Sequence, residues 1–254
     1  MKKILNTKWF TLCTYLLLIA AIMLVGFIFL QNNKTLNNVI TSFFEVAENR
    51  TFDYRQSIKV SHKQPVPNKD IVVLAVDDAS LEFLWDKYGE WPIPRNVYAD
   101  VVKYIEQDKP QAIIFDLLFI KPIRVEKGSD KEFTDTLNRY KNIYVGMNFD
   151  YVPSDVRLPA DLPERLDVTL ENKSKVNINK KYTFSNCRTI LPELLDGKVH
   201  VGLTNVIRNS DGIIRKVAPL VVYKDKYYPY LAFKAGGDYL TGEDLKSYKI
   251  NKNN

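Results

Sequence analysis

The spacing of apolar positions changes along the chain, and each change marks an element. From Trp9 to Leu30 no charged residue interrupts 22 consecutive positions. As a helix that run is about 33 Å long, and a bilayer core is roughly 30 Å thick. The pattern predicts a transmembrane helix over 9–30, apolar on every face as a soluble helix normally is not. Leu36, Val39, Ile40, Phe43, Phe44 and Ala47 then recur at amphipathic helical spacing. They predict a juxtamembrane stalk helix over 31–49. A first helix packed on its own domain fits the same stripe.

Beyond residue 50 the pattern alternates. Ile71-Val72-Val73-Leu74-Ala75-Val76 is a continuous, β-branched apolar run, as in a buried strand. Asp78 or Ser80 can cap a short helix over 80–87. Val97, Tyr98, Val101, Val102 and Ile105 predict a second helix, and Ala112–Phe119 a second strand. Strand, helix, strand reads as a βαβ unit with parallel strands. Phe133, Leu137 and Tyr140 predict a helix, and Asn142–Met147 a third strand. Residues 148–182, rich in Pro, Lys and Asn, read as an exposed excursion. A short helix at Thr189–Leu195 and a strand at Val199–Val206 follow. Asp211-Gly212 is a hairpin-turn signal, with Ile213-Ile214-Arg215 starting the return. Pro219–Tyr223 predicts another strand, and Tyr230–Leu240 a last helix. The fold class is α/β: a mixed, partly parallel sheet with a βαβ unit, flanking helices and a C-terminal hairpin, preceded by one transmembrane helix. The expected segments are 1–8 cytoplasmic, 9–30 anchor, 31–49 stalk, 50–246 extracytoplasmic domain and 247–254 polar tail.

Charge refines the topology. The chain of 254 residues carries a formal net charge of +6, and Lys2, Lys3 and Lys8 supply half of it. The remainder is too balanced for a phosphate-backbone footprint, so no nucleic-acid partner is expected. Basic residues before the apolar run keep the N-terminus inside. This makes a single-pass protein of the inner (plasma) membrane, with lipid its partner through residues 9–30. A cleaved signal peptide would have an apolar core of ~7–15 residues and a small-x-small site. The segment Phe29–Lys34 holds no such site.

Candidate chemistry is sparse. Asp77, Asp78 and Asp116 fall at or near the ends of the expected parallel strands, although Leu117-Leu118-Phe119 continue past Asp116. The crevice beyond such carboxyl ends is where open α/β sheets bind ligands. Clustered carboxylates there suit Mg²⁺ or Ca²⁺. They equally suit helix caps or partners of Arg95. Arg95 follows Trp91-Pro92-Ile93-Pro94 and opens a helix. It is read as a clamp to Asp77, Asp78 or Asp116, or as an anion ligand, with Trp91 covering the crevice or sealing the core. His200 reads as a paired or surface-facing strand residue. Cys13, Cys187, His62 and His200 are too scattered for a zinc site. There is no Gly-x-Ser-x-Gly elbow, phosphate loop or dinucleotide fingerprint. Neither a cofactor nor a metal is expected.

Several short motifs occur in a fixed order: Phe52-Asp53-Tyr54-Arg55, Ile71–Leu81, Trp91–Arg95, Ile113–Phe119, Val201-Gly202-Leu203-Thr204-Asn205, Asp211-Gly212-Ile213-Ile214-Arg215 and Tyr228-Pro229-Tyr230-Leu231-Ala232. Together, behind an N-terminal anchor, they resemble the CHASE sensory domain of the second type (cyclases/histidine kinases associated sensory extracellular). In the last motif Tyr230 stands where the family has Ser. The resemblance covers roughly residues 50–240. It marks Asp53, Arg55, Gly202, Asn205, Asp211, Gly212 and Arg215 as motif residues.

Such domains face outward from bacterial membranes and are joined to adenylate or guanylate cyclase, histidine-kinase or diguanylate-cyclase modules. The resemblance therefore implies a sensory input domain without catalysis of its own. Its partner would be an unknown small ligand or an envelope protein, with a homodimer compatible. The family pattern continues into further sheet, several membrane helices and an output module, so the resemblance is C-terminally short. Two other readings stay open. One is an anchored metal-dependent hydrolase using the strand-end aspartates. The other is a structural envelope interaction protein.

Overall fold

The computed structural model describes residues 2–32, 34–62, 66, 68–89, 92–123, 128–150, 162–171, 180–209 and 211–249. The chain divides into two compact units, Met1–Ala75 and Val76–Asn254.

The first unit holds helices α1 (Lys2–Asn32) and α2 (Lys34–His62). No proline precedes Pro65 and Gly26 is the one glycine before it, so little in the sequence opposes helix here. Lys59 and His62 in the last turn of α2 suit the negative end of its dipole. The stalk expected over 31–49 thus runs on to His62 and carries Asp53 and Arg55. Among the described residues no helix is long and apolar enough to cross a membrane. The anchor over 9–30 therefore rests on the sequence pattern.

The strand expected at Ile71–Val76 does not form. These residues are irregular, and Val72 and Val73 are 80% and 83% exposed. An apolar β-branched run becomes a strand only where a neighbour completes the ladder and a second layer covers it. Among its described residues the first unit contains no sheet.

The second unit begins with α3 (Asp78–Tyr88) and α4 (Arg95–Ile105). The βαβ unit comes one element later than its sequence suggests. It consists of β1 (Ile113–Phe115), α5 (Ser129–Leu137) and β2 (Ile143–Asp150), with β1 and β2 parallel from Ile113↔Ile143 to Phe115↔Val145. The strand expected over 112–119 thus ends at Phe115, and Asp116 lies just past it. After β3 (Thr169–Leu170) and β4 (Thr183–Phe184), strand β5 (Asn186–Arg188) pairs antiparallel with the far end of β2. Helix α6 (Pro192–Leu195) leads to β6 (His200–Leu203), which joins the other side of β2 in parallel register, Tyr144↔His200 to Met147↔Leu203.

β2 is the central strand, and it is buried almost throughout. Alternation sorts its side chains. Ile143, Val145, Met147 and Phe149 enter the main core with Ala99, Val102, Phe133 and Leu137. There Phe119 and Phe133 meet edge-to-face at 4.6 Å between centroids. Each such side chain contributes about 1.5–3 kcal/mol on burial. Tyr144 points to the opposite face and packs with Leu231 and Ala235 of helix α7 (Leu231–Thr241).

Strands β7 (Leu220–Tyr223) and β8 (Lys226–Pro229) form an antiparallel hairpin, with β4 parallel to β7. Lys224 and Asp225 at its tip have φ of 47° and 60°. Positive φ at both central residues is the type I′ requirement. The C-terminal hairpin therefore turns here and not at Asp211-Gly212. That pair makes a tight turn, with Asn209 N bonded to Ile213 O at 3.0 Å and no strands on its flanks. Within 148–182, Leu162, Leu166, Val168 and Leu170 are buried, so this part of the excursion is not exposed. Ser247–Tyr248, expected as polar tail, forms β9 beside β3.

Candidate functional site

Two glycines bring α7 and its neighbours close to the sheet. Gly202 of β6 faces the first turn of α7, where an added Cβ would lie 2.4 Å from Leu231 Cα. Its cross-strand partner Gly146 leaves similar room for Thr204. Helix α7 thus lies directly on the face that carries Tyr144 and His200. Leu231, Lys234, Ala235 and Asp238 form its buried stripe. Two of those four positions are charged, and they sit one helical turn apart.

This arrangement builds a network at the amino ends of β2 and β6. Tyr144 stacks on His200 with ring centroids 4.6 Å apart and an interplanar angle of 18°. The Tyr144 hydroxyl donates to Asp238 Oδ2 at 3.1 Å. Lys234 Nζ donates to Asp238 Oδ1 at 2.7 Å, to Asp244 Oδ1, and to Leu245 O at 3.2 Å. Gly242, with φ of 72°, ends α7 and turns the chain back. This brings Asp244 over Lys234, and Leu245 N donates to Asp238 Oδ1 at 2.8 Å. Lys246 Nζ pairs with Asp244 Oδ2 at 3.0 Å. The His200 Nε2 lies 2.9 Å from Lys141 O, and its Nδ1 lies 3.6 Å from both Asp238 and Asp244.

Burial sets the electrostatics. Lys234 and Asp238 are only 4% and 7% exposed, which is tolerable because they are paired and fully bonded. Burial acts against the charged form of Asp244, but the Lys234 and Lys246 ammonium groups outweigh it and hold its carboxyl below the usual range. Burial, then the Asp238 carboxylate, drives the Tyr144 phenol strongly upward. Burial and the two carboxylates push Tyr248 up to about 12. Both phenols stay neutral at physiological pH, and that of Tyr144 serves as a donor.

A cleft of about 780 Å³ opens over this network, lined among others by Tyr144, His200, Lys234, Asp238, Asp244 and Lys246. Its size suits a small molecule. His200, Asp238 and Asp244 offer donor atoms within 4.8 Å of one another. The Lys234 ammonium already sits on both carboxylates, however, and supplies the positive charge that a cation would bring. The cluster is an ion-pair network around a buried lysine.

The residues singled out from the sequence lie elsewhere. Asp77 caps α3, accepting from Ser80 N at 2.9 Å and Ser80 Oγ at 2.6 Å. The Ser80 bonds hold its carboxyl below the usual range. Asp78 and Asp116 are exposed. Arg95 is a buried clamp, but its partners are Asp130 at 3.3 Å and Lys121 O at 2.6 Å, with its guanidinium 5.1 Å over the Phe119 ring. No hydrogen bond or ion pair joins Arg95 to Asp77, Asp78 or Asp116 among the described residues. Trp91 lies outside the described residues. None of Asp77, Asp78, Arg95 and Asp116 lines the cleft.

The carboxyl end of the sheet is closed in a specific way. Asn205 accepts from Phe149 N at 2.7 Å and donates to Phe149 O at 2.6 Å, so its side-chain amide prolongs the β6 ladder. Thr204 Oγ1 donates to Asn148 Oδ1 at 2.6 Å, and β5 covers the other edge of β2 there. Asp211 and Arg215 pair at 2.7 Å. Gly202, Asn205, Asp211 and Arg215 therefore have local structural roles. Sequence reasoning missed Tyr144, Lys234, Asp238 and Asp244. The available signal was a pair of opposite charges on the apolar stripe of the last helix.

The second unit is thus an α/β domain with a cleft over a paired ion network. The CHASE2 domain matches residues 18–253, and the chain belongs to that family of extracellular sensory domains of signalling receptors. No curated protein and no solved structure matches it.

Proposed function

We propose that the chain is the extracytoplasmic input domain of a bacterial transmembrane receptor and not itself catalytic. It is anchored through residues 9–30, with its N-terminus inside. A cyclase, histidine-kinase or diguanylate-cyclase output acts downstream. The observation that carries this reading is the CHASE2 match over residues 18–253. The uncharged run from Trp9 to Leu30 behind Lys2, Lys3 and Lys8 supports the anchor and its direction. The cleft at the amino ends of β2 and β6 is where a small polar ligand is received, because its donors and acceptors converge on one opening. A change at the cleft biases one of two packings of the domain.

Topology tests this reading. The full chain carries a C-terminal tag, and intact spheroplasts are treated with protease. Loss of the tag beside an uncleaved anchor is the expected result. A tag that stays protected until the membrane is opened overturns the extracytoplasmic assignment.

A further inference from the structure

We propose that two copies of this chain pair reciprocally, the apolar run Ile71–Val76 of each adding a strand to the open edge of β1 in the other. This goes beyond the sensory reading and names a partner for the domain, a second copy of itself.

The run has everything a strand needs except a neighbour. All six of its residues are apolar, and Ile71, Val72, Val73 and Val76 are β-branched. Such side chains fit a pleated, covered surface. Yet the run pairs with no strand among the described residues. Ile71 and Leu74 are 69% and 66% exposed, like the two valines between them. Helix α3, which follows, buries none of its residues.

The receiving edge is β1. It ends its sheet: β2 lies on one side, and among the described residues no strand lies on the other. Ile113 N donates to Asn142 O at 2.9 Å, toward β2. Successive residues of a strand direct their backbone groups to opposite sides, so the Ile114 N–H and C=O face the open edge. The Ile114 side chain is half exposed, and Leu118 just beyond it is 38% exposed. An unpaired edge is a template for another strand, and strand addition is a recurrent mode of chain recognition.

The pattern of the run suits this place. The sheet is covered on both faces, by the main core on one and by α7 on the other. A strand in such a sheet is apolar at every position, as Ile71–Val76 is. Neither that run nor Ile113–Phe115 carries a charge, so the paired segments bring no like charges together.

A second copy is the fitting occupant because each copy bears both halves, a bare run and a bare edge. Two copies related by a twofold axis satisfy both at once, as in closed dimers. Covering both runs and both edges removes on the order of 1,000–1,500 Å² from water, near the roughly 1,200–2,000 Å² of stable interfaces. Only residues 63–70 separate the run from α2, so the pairing also ties two such helices into one assembly. Where it does not close on two copies, the same pairing runs on from chain to chain, as concentrated solutions favour.

The test uses the full chain in detergent micelles. Sedimentation equilibrium gives its mass over a dilution series, and hydrogen exchange is read on peptides covering 71–76 and 113–115. A monomer–dimer equilibrium is expected, with exchange in both peptides slowed roughly tenfold or more along the same concentration curve. A monomer at every concentration overturns the proposal. So does a dimer whose two peptides exchange as in the monomer, as one held by the anchors alone would. Protection that is independent of concentration, or that appears only in assemblies larger than the dimer, overturns it as well. Val73 is 83% exposed and supports nothing within the single chain. Val73→Lys should therefore keep the Tm of the monomer while weakening the dimer roughly tenfold or more. An equally tight dimer of Val73→Lys overturns the pairing. The pairing needs no particular side of the membrane, so it and the topology established in spheroplasts can each fail alone.

Discussion

The two ends of the parallel sheet are built on opposite plans. At the carboxyl ends the polar groups are spent on holding the backbone: Asn205 occupies both polar atoms of Phe149, and Thr204 bonds Asn148. Asp116 stands there exposed, without a hydrogen bond or ion pair among the described residues. At the amino ends the polar groups face an opening, and side chains from β2, β6 and α7 answer one another across it. The general expectation for open α/β sheets places ligands beyond the carboxyl ends. Here β2 runs on to Asp150 and takes β5 as an extra neighbour, so that end is sealed. Which end of the sheet stays open is thus decided by which strand outlasts its neighbours, and strand direction alone does not fix it.

Substitutions sharpen this contrast in order of expected size. Lys234→Met removes the ammonium from two carboxylates, one of them 7% exposed. Loss of one partner of a buried pair costs about 3–5 kcal/mol, to be read as a lower urea midpoint with an unchanged slope. An unaltered midpoint would mean the network contributes nothing. Gly202→Ala, between the two ends, forces Leu231 away from β6. Overpacking of this kind costs about 1–3 kcal/mol, seen as a lower Tm. Asp116→Asn, at the closed end, should leave Tm unchanged. A loss of several degrees there would show that the carboxyl end carries interactions the contrast denies it.

The sequence made these elements legible to different depths. Local signals located the last helix, because Leu231, Lys234 and Ala235 repeat within eleven residues. They also gave the core strand at Ile143, while the hairpin turn signal at Asp211-Gly212 pointed away from the turn that forms at Lys224-Asp225. The cleft was not legible for a geometric reason. Tyr144 and His200 are neighbours only through the register of β2 on β6, fifty-six positions apart in sequence. Asp244 reaches Lys234 only because Gly242 reverses the chain. Arg95 shows the intermediate case. Its placement after Pro94 foretold a clamp, but choosing Asp130 over Asp116 depends on where α5 starts. Ile71–Val76 shows the converse, a strong local signal without the non-local partner that strand structure needs.

That same exposed run bears on how the protein must be handled. Five consecutive apolar residues, Ile71 to Ala75, present unladdered backbone to solvent with no charge and no proline among them. Such a segment is a template onto which an identical segment can stack. Colloidal behaviour should therefore hinge on it: concentrated solutions should accumulate thioflavin-positive assemblies, and a single lysine at Val73 should keep them clear.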